Sequence, residues 1–153
     1  MPLTGSCSCG AVKFELLSAP MFIHCCHCLL CQKQTGGAFV INALIETDRI
    51  VLSAGKPAPI SIPTESGRPH DVYRCNTCGV AVWSDYGRRP ALRFVRVSAL
   101  EQRHQLVPDA HLFTRSKVPW VTLPPGARAF SEFYELEEEW PAESLARRKA
   151  ILG

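Results

Sequence analysis

Residues 24–36 read HCCHCLLCQKQTG, and this stretch holds four of the eight cysteines of the 153-residue chain. If residues 24–28 are extended, their side chains alternate between two faces. Cys26 and Cys28 then share one face, and Cys31 can return to that face after a two-residue turn. Three converging thiolates match the number of protein ligands in many catalytic zinc sites, which keep a fourth position for water or substrate. The sequence therefore predicts a reactive metal centre in this stretch.

The same alternation leaves alternatives open for the neighbouring side chains. His24 shares the face of the three thiols, where it either completes a closed structural site or is a hydrogen-bonded core residue. Cys25 points the other way, so it is either a substitute for one of the three thiols or a small buried hydrophobe. His27 is held off the metal by its position in the strand, and it is either a supporting or substrate-facing group or an exposed polar residue.

The remaining four cysteines form two short pairs, Cys7 with Cys9 and Cys75 with Cys78. Each pair is followed at once by a glycine, which allows the positive φ of a tight turn around a metal. Neither pair fills a tetrahedral site alone, so the four thiolates are expected to converge on one closed, structural zinc. Binding of such a metal is coupled to folding. Disulfides are not expected, because a Cys-X-Cys bridge closes a small, strained ring.

Composition places the chain among soluble globular proteins. Hydrophobic residues make up 46% and charged residues 20%, and no linker or repeat divides the chain, so residues 1–153 are expected to form a single domain. The sequence shows neither a secretory signal pattern nor an apolar run of membrane-spanning length. We therefore expect a cytoplasmic protein with reduced thiols that does not enter membranes. The formal charge of +3 is scattered along the chain, so nucleic-acid binding is not expected.

Short runs between frequent prolines and glycines are typical of β-strands, because they alternate apolar and polar residues or are uniformly apolar. In AVKFEL (11–16), Val12, Phe14 and Leu16 are expected on the buried face. The other predicted strands are AFVINALI (38–45), RIVLSAG (49–55), PISIP (59–63), VYRC (72–75), VAVWSDY (80–86) and LRFVRVSAL (92–100). PAESLARRKAIL (141–152) predicts a short C-terminal helix. The expected fold class is mainly β.

Four segments together resemble the glutathione-dependent formaldehyde-activating enzymes, a family related to the mammalian centromere protein V. The segments are GSCSCGAVKFE (5–15), CHCLLCQKQTGGAF (26–39), YRCNTCG (73–79) and HLFTRSKVPW (111–120), so the resemblance is strongest over residues 5–120. It implies two packed antiparallel sheets stapled by zinc, a fold shared with a zinc-containing chaperone of small GTPases. It also implies two Zn²⁺ per chain, the structural zinc on Cys7, Cys9, Cys75 and Cys78 and the catalytic zinc on Cys26, Cys28 and Cys31.

The activity that this resemblance implies is of the carbon–sulfur lyase type. Glutathione, as co-substrate, would be joined to formaldehyde to give S-(hydroxymethyl)glutathione, and the two carboxylates of glutathione would need cationic or N–H partners. Candidate partners near the three-thiol stretch are Gln32, Lys33 and Thr35, and Arg115 and Lys117 lie further along. The alternative function is a non-catalytic, zinc-stapled binding module for a protein partner or for glutathione, because a fold does not decide function.

Two features lie outside the pattern of the family, namely Cys25 and the glutamate-rich tail beyond Tyr134. Neither feature changes the predicted metal ligands. They do separate this chain from the family pattern, so the identity of its thiol and aldehyde substrates is not determined by the resemblance.

Overall fold

Two β-sheets dominate the computed structural model, which describes residues 2–153. The strands are β1 (Leu3–Ser6), β2 (Lys13–Leu16), β3 (Phe22–Cys26), β4 (Val40–Glu46), β5 (Ile50–Ala54), β6 (Ala58–Ile62), β7 (His70–Arg74), β8 (Ala81–Tyr86), β9 (Leu92–Arg96) and β10 (Ala110–Leu112). The helices are α1 (Leu29–Thr35), α2 (Leu136–Glu139) and α3 (Ala142–Leu152), with 3-10 turns at residues 47–49, 97–99, 103–105 and 114–116. One sheet has the order β1-β2-β5 and the other the order β10-β3-β4-β9-β8-β7-β6.

The mainly β fold, the two sheets and the short C-terminal helix confirm the sequence prediction. One strand pair differs, because β10 runs parallel to β3 and sets Ala110 opposite His24. Residues 97–109 carry the chain from β9 to the free edge of β3, and a strand that follows such a crossover can run in the direction of its neighbour. Among residues 2–153, no helix is long and apolar enough to cross a lipid bilayer.

The face of β2 that was predicted to be buried packs against the large sheet. Val12, Phe14 and Leu16 are all buried, and the Phe14 ring meets Trp83 of β8 edge-on with ring centroids 5.3 Å apart. Gly5 of β1 pairs with Phe14, and a side chain at Gly5 would overlap the Phe14 ring. The missing side chain at this one position therefore makes room for the central aromatic pair of the core.

A second group of buried side chains joins β3 and β4 to the C-terminal segment. Phe22 stacks on Trp140 with ring centroids 5.3 Å apart, and the Trp140 indole N–H donates to the Tyr134 hydroxyl at 3.0 Å. Arg147 of α3 donates twice to the Glu46 carboxylate at the end of β4, at 2.8 and 2.7 Å. The glutamate-rich tail is therefore part of the packed structure and supports the strand that follows the three-thiol stretch.

Candidate metal centres

Four thiols from two separate hairpins meet in one cluster. The ligand atoms of Cys7, Cys9, Cys75 and Cys78 all lie within 4.8 Å of one another. The Cys9 Sγ atom is 3.7 Å from Cys7 Sγ and 3.8 Å from Cys75 Sγ. Zinc–thiolate bonds of about 2.3 Å at tetrahedral angles would place neighbouring sulfurs about 3.8 Å apart. Both the donor set and its spacing fit a four-thiolate zinc site.

Two glycine turns shape this four-thiol cluster. Gly10 and Gly79 have φ values of 78° and 76°, and their N–H groups donate to the carbonyls of Cys7 and Cys75 at 3.3 and 2.9 Å. The Val12 N–H also donates to Cys7 Sγ at 3.3 Å, a contact that favours the thiolate. One turn joins β1 to β2 and the other joins β7 to β8, so a metal ion here would link the two sheets.

The second cluster lies where β3 passes into α1 and consists of Cys26, Cys28 and Cys31. Cys28 precedes α1 in an extended conformation, and its Sγ accepts a hydrogen bond from the Cys31 N–H at 3.3 Å. Hydrogen bonds with the Cys26 and Cys31 thiols lower the pKa of Cys28, whereas hydrogen bonds with the Cys26 and Cys28 thiols raise the pKa of Cys31. The negative charge of the metal-free cluster therefore lies on Cys28, where the Cys31 N–H stabilises the thiolate.

The structure places His24 and Cys25 outside the three-thiol cluster. His24 Nδ1 lies 3.3 Å from the Tyr134 hydroxyl, and burial, followed by the charge of Arg96, lowers the pKa of His24 to about 3. His24 is therefore a neutral core residue. Within residues 2–153, no fourth histidine, cysteine or carboxylate atom joins the three thiols, so a metal ion held there would keep a position for an outside ligand.

A cavity of about 640 Å³ lies beside the four-thiol cluster and the last turn of α1. Cys78 lines this cavity, together with the side chains of Arg74, Arg96 and Arg103. In the described part of the chain, none of these three arginines forms an ion pair with a carboxylate. Because no carboxylate of the described chain pairs with these guanidinium groups, they can bind an anionic ligand in the cavity.

Arg96 connects the cavity to the three-thiol cluster. The side chain is buried, and its guanidinium donates to the Asn42 amide oxygen at 2.5 Å, whereas its Nε atom has no hydrogen-bond partner among residues 2–153. Burial lowers the pKa of Arg96, and the charges of Cys31 and Cys26 act in the opposite direction. The guanidinium is thus within electrostatic reach of the thiols, and its Nε atom is buried without a partner.

The predicted substrate-binding residues of α1 have three different surroundings. The Gln32 amide donates to the carbonyls of His27 and Ser116, each at 2.9 Å, and so ties the helix to the loop after β10. Thr35 lines the cavity, and its hydroxyl donates to a helix carbonyl at 2.8 Å. Lys33 is exposed to solvent and does not line the cavity.

The two candidates further along the chain interact within their own loop. Arg115 pairs with Glu132 at 2.6 Å, and the Lys117 ammonium group donates to backbone carbonyls at 3.2 and 2.6 Å. Sequence reasoning did not select the arginines of the cavity. The one usable signal was the alternation in LRFVR (92–96), which sets Arg96 on the same face as apolar residues.

A third group, Cys25, His27 and His111, also has its ligand atoms within 4.8 Å of one another. The first two side chains point away from the three-thiol cluster, as the alternation along β3 predicts, and β10 sets His111 directly opposite Cys25. Burial, followed by the charges of His111 and Lys117, lowers the pKa of His27 to about 4, and burial lowers that of His111. Both imidazoles are therefore neutral near pH 7. Sequence reasoning missed His111, because strand pairing between distant segments leaves no local signal.

Comparison with known proteins decides the family. Residues 2–116 match the family described as glutathione-dependent formaldehyde-activating enzyme. The chain belongs to this family. A Halomonas elongata protein, whose name assigns it that activity provisionally, is 31% identical over 160 residues, covering 100% of this chain and 98% of the relative. A crystal structure of a Rhodobacter sphaeroides protein is similar in fold, with a TM-score of 0.50 and 23% identity over 69% of this chain and 97% of that one.

Proposed function

We propose that this chain is a zinc-dependent enzyme of the carbon–sulfur lyase type, which joins glutathione or a similar thiol to formaldehyde or another small aldehyde. The observation that carries this proposal is the cluster of Cys26, Cys28 and Cys31, which offers three thiolates and no fourth protein ligand within residues 2–153. Membership of the family and the name of the Halomonas elongata relative support the same chemistry.

The proposed reaction forms a carbon–sulfur bond and breaks the carbonyl π bond. The thiol sulfur forms a bond to the aldehyde carbon, the carbonyl π electrons move to the oxygen, and the thiol proton is transferred to that oxygen. A zinc ion held by Cys26, Cys28 and Cys31 would supply an open position that favours the bound thiolate at neutral pH. The contribution of the chain is to hold the three sulfurs together at the start of α1, where the Cys31 N–H donates to Cys28 Sγ.

Arg96 supplies the positive charge of this centre. Three thiolates around a divalent ion leave a net charge of minus one, and the guanidinium lies within reach of the charges on Cys26 and Cys31. Because Arg96 lines the cavity and pairs with no carboxylate in the described chain, its charge can attract a bound anion while the guanidinium keeps its contact with Asn42. Arg96 would therefore orient the incoming thiolate.

The other two arginines of the cavity fit the carboxylates of glutathione. A guanidinium binds a carboxylate through two parallel hydrogen bonds, which fixes both distance and orientation. Arg74 is held in place by the Gly79 carbonyl at 2.9 Å and by the Gln34 side-chain oxygen at 3.2 Å, and Arg103 is exposed at the rim. We assign these two residues to the carboxylates, with Thr35 beside them. Lys33 and Gln32 stay predictions, of which Gln32 fits a positioning role.

The proposal includes a second, structural zinc on Cys7, Cys9, Cys75 and Cys78, giving two Zn²⁺ per chain. A closed set of four thiolates binds zinc for stability rather than for chemistry. Clusters that depend on reduced thiols suit a reducing compartment, so we place the protein in the cytoplasm. The single-domain organisation of residues 1–153 and the likeness to the GTPase chaperone stay predictions.

An exchange measurement tests the proposed activity. Exchange NMR with ¹³C-formaldehyde and glutathione measures how fast free aldehyde and S-(hydroxymethyl)glutathione interconvert, and the uncatalysed rate is the baseline. We expect an additional rate that is proportional to protein concentration. The variant Cys28→Ser should lose this additional rate, whereas the control Arg88→Gln, an exposed residue outside the cavity, should keep it. Equal rates with and without wild-type protein would refute the enzyme, and glutathione binding without acceleration would favour the binding module.

A further inference from the structure

Cys25, His27 and His111 form a buried group that the proposed reaction does not use. Their relative exposures are 1%, 0% and 9%. Cys25 and His27 flank Cys26 in the sequence, yet the alternation of β3 directs them to the other side of the sheet. The group is therefore separate from the three-thiol cluster, although both depend on the same strand.

Two distances within this group are close to those between ligands of one metal ion, and the third lies within 4.8 Å. His27 Nε2 lies 3.6 Å from Cys25 Sγ and 3.1 Å from His111 Nδ1. Zinc-type bonds of about 2.0–2.1 Å to nitrogen and about 2.3 Å to sulfur, at tetrahedral angles, would separate two nitrogens by about 3.3 Å and a nitrogen from a sulfur by about 3.6 Å. In the four-thiol cluster, the sulfur–sulfur distances of 3.7 and 3.8 Å likewise agree with the spacing of about 3.8 Å expected around zinc.

Hydrogen bonding alone does not account for the group. His27 Nε2 is in contact with both other ligand atoms, and a neutral imidazole nitrogen is either a single donor or a single acceptor. If Nε2 accepts, two donors compete for one lone pair, and if Nε2 donates, only one neighbour can accept. One cation, in contrast, receives a lone pair from all three atoms at once.

The backbone holds these ligands in place before any ion arrives. The parallel register of β10 with β3 sets His111 opposite Cys25, and the His27 N–H donates to the Leu112 carbonyl at 3.0 Å. Gln32 Nε2 donates to the His27 carbonyl at 2.9 Å, and the His27 ring packs on Phe39 with centroids 5.3 Å apart. The arrangement therefore needs little reorganisation to bind a metal ion.

We propose that Cys25, His27 and His111 form a third metal site, which binds a soft d¹⁰ cation and prefers Cu(I) to Zn²⁺. Thiolate and imidazole ligands suit both ions, but the charges differ. One thiolate and two neutral imidazoles give a neutral site with Cu(I) and a site of charge plus one with Zn²⁺. A buried group bears an uncompensated charge poorly, and the nearby Lys117 is already cationic.

Metal uptake by the zinc-loaded protein tests the third site. One equivalent of Cu(I) is supplied anaerobically as its bicinchoninate complex, bound copper is measured by elemental analysis, and a chromogenic chelator reports any released zinc. We expect one copper per chain with no zinc released, and a copper K-edge spectrum with one sulfur and two nitrogen ligands. Copper bound only with equivalent zinc release would overturn the proposal, because it indicates displacement from the thiolate clusters.

Conservative variants separate a ligand from a packing residue. Cys25→Ser and His111→Asn keep a hydrogen-bonding group in place but remove the soft donor, so each should abolish copper uptake while zinc content and circular dichroism stay unchanged. The control His70→Asn changes another buried histidine, which lies outside all three ligand groups, and should bind copper normally. Copper bound equally by all variants would overturn the site.

A parallel zinc titration decides which cation the site takes. A third zinc that disappears in Cys25→Ser and His111→Asn would support the site and overturn the preference for Cu(I). If the wild-type protein bound neither copper nor a third zinc, the site itself would be overturned. These outcomes do not depend on turnover of glutathione and formaldehyde, so the third site and the proposed function can fail separately.

Discussion

Replacing Arg147 by methionine tests how far the C-terminal segment supports the fold. The Glu46 carboxylate is 4% exposed and accepts two hydrogen bonds from Arg147, at 2.8 and 2.7 Å. Arg147→Met leaves that carboxylate buried, with Arg49 at 3.5 Å as the remaining cation. Breaking a buried ion pair from one side costs about 3–5 kcal/mol. Because Arg49 stays, we expect the lower end of that range, about 3 kcal/mol.

Thermal and urea unfolding, followed by circular dichroism at pH 7, measure the effect. At about 2–4 °C per kcal/mol for a chain of this size, the midpoint should fall by about 6–12 °C. The double variant Glu46→Leu/Arg147→Met removes both charges and should recover most of the loss, because a matched apolar pair is often as stable as the ion pair. A single variant within about 0.5 kcal/mol of wild type, the range of ordinary surface changes, would refute this reasoning. A double variant as unstable as the single one would do the same.

The pH dependence of stability provides an independent check on the same pair. Burial raises the pKa of Glu46, but the hydrogen bonds and charge of Arg147 outweigh it and hold that pKa below its ordinary value. The unfolded carboxyl titrates near pH 4.3, so the contribution is complete above about pH 4.3 and is lost as the pH falls through the lower folded pKa. The difference between wild type and Arg147→Met should therefore shrink in that acidic window.

Three further changes address the metal clusters, the cavity and the core. Cys9→Ser removes one of four thiolates, so elemental analysis should find one zinc fewer per chain and the unfolding midpoint should fall; full zinc content would contradict the four-thiol site. Arg74→Gln should raise KM for glutathione by about 10- to 150-fold, because a hydrogen bond to a charged group contributes about 1.5–3 kcal/mol; an unchanged KM would remove Arg74 from the cavity's ligand contacts. Gly5→Ala should lower the free energy of unfolding by about 1–3 kcal/mol through overpacking against Phe14, whereas wild-type stability would show that the ring can move aside.

Local patterns were sufficient for most of the fold. The alternation in AVKFEL (11–16) placed Phe14 on the buried face, and the core pair with Trp83 confirms it. The pattern around Cys28 did not reveal α1, whose seven residues bury no side chain completely. A short helix without a buried stripe has no periodic signal. It forms because Cys28 caps its first turn.

The candidate sites divide in the same way. The alternation along β3 is a local pattern, and it is sufficient to separate Cys26 and Cys28 from Cys25 and His27; the ligand clusters follow that division. His111 could not be assigned from sequence, because it lies 84 residues from His27, its hydrogen-bond partner. Its place depends on the parallel pairing of β10 with β3.

The chain's own pattern determined the family, the β-rich fold and the two cysteine sets, since spacing, glycine turns and side-chain alternation act over a few residues. Only the tertiary structure decided which arginines line the same cavity and that Cys25 lies beside two imidazoles. These contacts depend on the strand order and on the crossover between β9 and β10. The free energy that selects them comes from burying the whole core rather than from any local segment.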